Sequence, residues 1–191
     1  TKLVLSKLAK FHAASAVRYQ KDGMIDSCLD RSLTLKMFPS DSPIYLSYKK
    51  LMRKFVEVAI NSKASDSCVG KIARLTLTDL FAGFYSGMMP MKNGFKVLNH
   101  GDMWSNNFMF KMDENEVATD VLFVDFQMSQ WGTPNNDLIY FLFSSVADDV
   151  KVKHFDEIIE FYYEQLIESL KSLEYDQVIP TVEELKEDLM D

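Results

Sequence analysis

The chain is poor in cysteine, glycine and positive charge, and each shortage narrows what it can be. Among its 191 residues there are two cysteines, Cys28 and Cys68. They form no C-x-x-C pair and have no histidine at zinc-binding spacing, so a metal–thiolate site is not expected. A reducing compartment is the default for such a chain, and a cytoplasmic location is the expectation. The net charge is −7 and no Lys/Arg-rich run is present, which argues against a nucleic-acid partner. The acidity reads as ordinary solubility. No apolar run approaches the ~20 residues that a membrane-spanning helix needs. Charged residues interrupt every candidate within a few positions. No signal-peptide pattern follows Thr1, and the start reads as internal. Seven glycines are present, no two of them spaced G-x-G.

What is present supports a packed interior. Hydrophobic residues make up 47% and aromatic residues 13%, enough core for one domain or one large lobe. Leu5, Leu8, Ala9, His12, Ala13, Ala16 and Val17 lie on one helical stripe, which Asp22-Gly23 ends. Residues 24–42 read as irregular. Ser42-Pro43 reads as a cap followed by a first-turn proline, opening a helix that buries Tyr45, Tyr48, Met52, Phe55, Val56 and Ala59. A third helix is expected over about 69–86. The period then changes. Phe95–Leu98 is short and strand-like, and the apolar runs Asn107–Met112 and Val121–Asp125 flank the turn composition Asp113-Glu114-Asn115. These two runs predict a small β-hairpin with Asn107 at one base and Asp125 at the other. Helix resumes at Asn135 through Leu142, and a long helix follows from Val152 to Leu173. Thr181-Val182-Glu183-Glu184 is a capping box that opens a final helix reaching Asp191.

The most informative stretch is Asn99–Asn107. It contains His100-x-Asp102-x-x-x-x-Asn107, and eighteen residues further on Asp125 closes an apolar run in Val124-Asp125-Phe126-Gln127. Phosphoryl transfer to a hydroxyl needs a carboxylate to orient the nucleophile and take its proton, and oxygen ligands for Mg²⁺. Asp102 suits the first task as catalytic base. Asn107 and Asp125 suit the second as metal ligands, one neutral oxygen and one charged. His100 reads as structural, its imidazole bonding to backbone near Asp125 and holding two loops in register. Gly101 permits a tight, left-handed backbone in the loop.

Other residues divide between function and packing. His12 sits on an apolar stripe with no acid near it in sequence, so a buried, hydrogen-bonded core histidine is expected rather than a catalytic one. His154, among charged neighbours, reads as solvated. Trp104 and Trp131 either line an acceptor pocket or pack beneath the loop. Phe161-Tyr162-Tyr163 reads as core by its helical spacing, and the eleven methionines read as core filler.

Three stretches carry a resemblance. They are Leu8-Ala9-Lys10-Phe11-His12-Ala13-Ala14-Ser15, His100-Gly101-Asp102-Met103-Trp104-Ser105-Asn106-Asn107, and Val124-Asp125-Phe126-Gln127 with Gly132-Thr133-Pro134 and Asp137-Leu138. Together they resemble the ecdysteroid kinase-like (CHK kinase-like) family, abundant in insects, within the choline kinase and aminoglycoside phosphotransferase group of the protein kinase-like fold. The resemblance covers essentially the whole chain. It implies an α+β, mostly α fold, and ATP- and Mg²⁺-dependent phosphorylation of a small-molecule hydroxyl, in the best-known case an ecdysteroid. It makes Asp102 the base, Asn107 and Asp125 the metal ligands, and Asp137 a carboxylate bracing the catalytic loop. A simple first-turn Asp favoured by the helix dipole is the alternative for Asp137. Trp104 stands where protein kinases usually carry Lys, and Gln127 replaces the Gly of D-F-G; both point to a small-molecule acceptor. The family's N-terminal lobe carries a phosphate-covering loop and an ATP-anchoring Lys. With no G-x-G, residues 1–191 are expected to be the C-terminal lobe, truncated at both ends and lacking the N-lobe, and inactive alone. A choline/ethanolamine or aminoglycoside-type kinase is the enzyme alternative. A non-catalytic module binding a ligand or partner is the other.

Overall fold

The computed structural model describes residues 1–23, 26–29, 43–61, 91 and 94–190. The chain divides into two compact units, Thr1–Asp30 with Met88–Asp191, and Arg31–Gly87. The expected Ser42 cap, most of the irregular 24–42 segment, the side chains of Tyr45 and Tyr48, the helix at 69–86, and Asp191 lie outside the described residues.

In the second unit one helix is described, α2 (Pro43–Asn61). Met52 and Val56 are half-buried and Ala59 is buried, as their i, i+4, i+7 spacing predicts. Phe55 does not follow the expectation. It flanks that stripe and stays half exposed, as do Leu51, Val58 and Ile60.

The first unit opens with α1 (Lys2–Asp22), which turns its small and aliphatic residues inward: Leu5, Leu8, Ala9, Ala13 and Ala16 are buried. Gly23 takes a positive φ of 73° and its N–H returns to the Tyr19 carbonyl at 2.8 Å, the ending expected of Asp-Gly. α1 packs against the long α4 (Asp148–Ser172), whose Ile158, Ile159, Tyr162, Leu166 and Leu170 are buried. Small Ala side chains on α1 let the larger side chains of α4 approach closely. α4 begins four residues earlier than its spacing predicts and carries a kink at His154, with φ −126° and ψ 25°. The kink breaks the phase of the first turn, so Val152, expected on the buried stripe, is exposed. His154 is exposed, as expected, and pairs with Glu157 at 3.0 Å.

Between these helices the chain forms two small antiparallel sheets. β2 (Phe108–Met112) and β3 (Ala118–Phe123) are the expected hairpin, with Phe108 opposite Phe123 and a bulge at Lys111/Met112. Its turn is held by Asp113, whose Oδ1 accepts the N–H groups of Asn115 and Val117. The other sheet is an addition to the single hairpin expected. β1 (Val97–Asn99) pairs with β4 (Gln130–Gly132), Leu98 opposite Trp131. β4 is three residues long, too short to show a period in sequence. Ser15 ties this sheet to α1, its Oγ accepting the Leu98 N–H at 2.8 Å.

α3 (Asn135–Ser145) follows β4, and α5 (Val182–Met190) closes the described chain. The capping box is present in both directions: the Glu184 N–H donates to Thr181 Oγ1 and the Thr181 N–H to Glu184 Oε2. Asp188 on α5 accepts from Thr133 Oγ1 at 2.6 Å and Asn135 Nδ2 at 2.9 Å, pinning the loop that starts α3. The result is mostly helical α+β, as expected. Leu166 is fully buried in the helical core. Leu166→Ala should lower the unfolding free energy by about 2–5 kcal/mol, read by urea unfolding; a loss below about 1 kcal/mol would show that this interface is not the core.

Candidate active site

β1 delivers the loop His100–Asn107 into the space between the hairpin and α3. His100 is fully buried. Its Nε2 donates to the Val124 carbonyl at 2.9 Å and its Nδ1 accepts the Asp102 N–H at 3.3 Å. One imidazole thus ties the Asp102 backbone to the residue before Asp125, the register role expected of it. Gly101 has φ 82°. A Cβ there would lie 2.0 Å from the Met128 carbonyl oxygen, so close approach of two loops as well as left-handed backbone requires glycine.

Asp137 fixes this loop from the first turn of α3. It is fully buried. Its Oδ2 accepts the His100 N–H at 2.7 Å and its Oδ1 the Gly101 N–H at 2.8 Å. The Asp137 N–H in turn donates to Asn99 Oδ1 at 3.3 Å. Behind it lies His12, also fully buried, with Nε2 at 3.1 Å from Asp137 Oδ2 and Nδ1 at 2.7 Å from the Tyr162 hydroxyl. Burial, and then the charge of Asp137, push the Tyr162 phenol well above its usual pKa. The hydroxyl therefore stays protonated, at hydrogen-bond distance from His12 Nδ1. His12 is the satisfied core histidine that was expected; its acid partner is 125 residues away in sequence.

The hairpin base brings the other two residues close. The Val124 N–H donates to the Asn107 carbonyl at 3.0 Å, continuing the β2–β3 pairing. Asn107 is buried, and its Nδ2 donates to both the Asp102 carbonyl (2.9 Å) and Asp102 Oδ2 (3.0 Å). Asn107 Oδ1 makes no hydrogen bond among the described residues, which leaves a neutral oxygen for a hard cation. Asp125 is exposed and sits in the left-handed region at φ 66°, ψ 65°. Its Oδ2 accepts from Gln127 Nε2 at 3.1 Å. Phe126 remains exposed but sets its ring 4.5 Å from that of His100 and 5.7 Å from that of Phe11. Among the described residues no group of three or more His, Cys, Asp or Glu could hold a metal ion. A set of one amide and one or two carboxylates fits a hard ion that shares its ligands with phosphate oxygens and water.

The tryptophans part company. Trp131 is buried and packs on Tyr19, ring centroids 5.2 Å apart. Trp104 stays more than a third exposed beside Asp102, whose carbonyl accepts its N–H at 3.0 Å. Sequence reasoning missed Tyr140, Ser144 and Ser145 on α3. Asp102 and partial burial hold the Tyr140 phenol above its ordinary pKa, Ser144 Oγ donates to the Met103 carbonyl, and Ser145 Oγ accepts the Ser105 N–H. Their spacing from Asp137 is the signal that could have found Tyr140 and Ser144: i, i+3, i+7 is one helix face.

Gly101→Ala should destabilise the protein by about 2 kcal/mol or more, from left-handed strain and the displaced Met128 carbonyl. Thermal unfolding checks this; an unchanged melting temperature would mean that the two loops are not interlocked.

No curated protein and no solved structure matches the chain. The model of the ecdysteroid kinase-like family matches residues 1–175, a span that takes in α1, the His100–Asn107 loop, the hairpin, Asp125 and Asp137. The family is one of kinase-like phosphotransferases. On that match the chain belongs to the ecdysteroid kinase-like family.

Proposed function

We propose that the site transfers the γ-phosphoryl group of ATP to the hydroxyl of a small molecule, with an ecdysteroid or another hydroxylated, lipid-like compound as the acceptor. The observation that supports this reading is the meeting of Asp102 and Asn107 at the base of the hairpin, one residue from Asp125. Asp102 is the base. The acceptor O–H gives its proton to the Asp102 carboxylate while its oxygen bonds to the γ-phosphorus. The bond from that phosphorus to the β-phosphate bridging oxygen breaks, and ADP leaves. Asn107 orients the carboxylate, since its Nδ2 donates to Asp102 Oδ2.

Asn107 Oδ1 and the Asp125 carboxylate are the groups that would hold Mg²⁺. When bound, the ion neutralises charge on the phosphate oxygens. Met109 and Leu122 are cross-strand partners on the hairpin, each 60% exposed. They offer an apolar floor for a nucleotide base. Among the described residues no Lys or Arg side chain bonds to Asp102, Asn107 or Asp125, and positioning of the phosphates is much of the catalysis in phosphoryl transfer. We assign that task to residues outside the loop and hairpin, consistent with residues 1–191 acting as a C-terminal lobe beside an ATP-covering lobe. Trp104 and Gln127, in place of the Lys and Gly of protein kinases, favour a small acceptor over a protein one.

In the intact protein, Asp102→Asn should lower turnover by about 10²–10⁴-fold with ATP affinity nearly intact. Asp125→Asn should weaken Mg²⁺-ATP binding as well. The measurement is ADP release with ATP, Mg²⁺ and a panel of hydroxylated steroids and amino alcohols, alongside equilibrium binding of Mg²⁺-ATP. Turnover by Asp102→Asn within a few-fold of the unsubstituted protein would remove Asp102 from the chemistry.

A further inference from the structure

A cavity of about 370 Å³ lies at the end of β1 away from the His100–Asn107 loop, a volume suited to a small molecule. Three parts of the first unit wall it: the last turn of α1, the approach to β1 from Gly94 to Lys96, and the segment after α4 that begins at Tyr175. Among the described residues that line it, none belongs to the loop or the hairpin. Lys96 precedes His100 by four positions, an extended span of about 13 Å. Each wall contributes one aromatic ring. Tyr19 comes from α1 and is backed by Trp131, ring centroids 5.2 Å apart. Phe95 comes from the approach to β1 and meets Tyr175 edge-on at 6.0 Å. Gly94 leaves room between them, since a Cβ there would meet nothing within 4 Å.

The polar groups of the walls are mostly donors. Lys96 is half-buried and makes no ion pair or hydrogen bond among the described residues, and a partly desolvated ammonium gains from an anionic partner. Gln20 is half-buried too. Its Oε1 accepts the Asp176 N–H at 3.1 Å, which leaves its amide nitrogen with two hydrogens to give. The Tyr175 phenol is held above its ordinary pKa by burial and then by the charge of Asp176, so it keeps its proton. Asp176 is the acid beside this wall. It is exposed, and its Oδ1 accepts from Gln177 Nε2 at 2.8 Å. We propose that the cavity is a binding site for a small planar aromatic carboxylate, its ring among Tyr19, Phe95 and Tyr175 and its charge on the Lys96 ammonium. The phosphotransferase reading is not needed for this site, because no group of the Asp102 site takes part in it. Its occupant would tie the end of α1 and the segment after α4 to the strand that delivers the His100–Asn107 loop.

The test is calorimetric titration of the intact protein with three probes of one shape and different charge: 2-naphthoate, 2-naphthamide and 2-naphthylmethylammonium. The carboxylate should bind about tenfold more tightly than the other two, equivalent to about 1.4 kcal/mol. Lys96→Gln should remove that advantage and leave the affinity for 2-naphthamide unchanged, which also shows that the variant is folded. Lys96→Arg should keep most of the advantage. Lys153→Gln, on an exposed turn of α4, and Asp102→Asn should leave the affinity for 2-naphthoate unchanged. No saturable binding of 2-naphthoate at millimolar concentration would overturn the proposal, and so would equal affinity for the three probes. A loss with Lys153→Gln as large as that with Lys96→Gln would overturn it by showing general charge attraction. A loss with Asp102→Asn would overturn it by placing the probe in the Asp102 site. None of these outcomes bears on phosphoryl transfer, which the Asp102 and Asp125 variants test.

Discussion

A single buried carboxylate holds the site together. Asp137 has no access to water and accepts hydrogen from two backbone N–H groups and one imidazole. In a low-dielectric interior such bonds are strong, and an unmet partner is costly. The carboxylate therefore dictates where the His100-Gly101 backbone lies. Its demand extends outward: His12 presents a ring N–H to it, and the other ring nitrogen shares a hydrogen bond with the Tyr162 hydroxyl. Through this chain α1, α3 and α4 are each fastened to the loop that carries Asp102. Fully buried Leu8, Ala9, Leu138 and Ile159 exclude water from the same core.

The hairpin end is the second fixed point. Asp125 occupies a backbone region that costs a non-glycine residue on the order of 1–2 kcal/mol. Its neighbours over-determine that conformation. The Val124 N–H and carbonyl are both taken, by Asn107 and His100. The Phe126 ring packs at a tilt against His100, and the Met128 carbonyl abuts Gly101. The backbone at Asp125 is therefore fixed by an interlocked pair of loops rather than by its own preference. Asp102 is held by Asn107, whose Nδ2 donates to both its carbonyl and its carboxylate.

Several parts of this arrangement were legible in the chain itself. The α1 stripe, the Asp113 turn, the hairpin and the Thr181–Glu184 box each depend on residues within a few positions of one another. The β1–β4 sheet was not legible, because β4 is three residues long and its partner lies some thirty positions away. The exposed Val152 was misread because a kink at His154 breaks a periodicity that looks continuous in the letters.

The sequence by itself determined which local elements form and which side chains could do chemistry, since helical spacing, turn composition and short motifs act over one or two turns of chain. Only the tertiary structure decided what those side chains meet. That His12 answers to Asp137, that Trp131 packs inward on Tyr19 while Trp104 stays open, and that Ser144 reaches the Met103 carbonyl all depend on how α1, α3 and the loop pack together. Packing joins residues separated by tens of positions, and no local pattern records which of many buried polar groups will find each other in the dry interior.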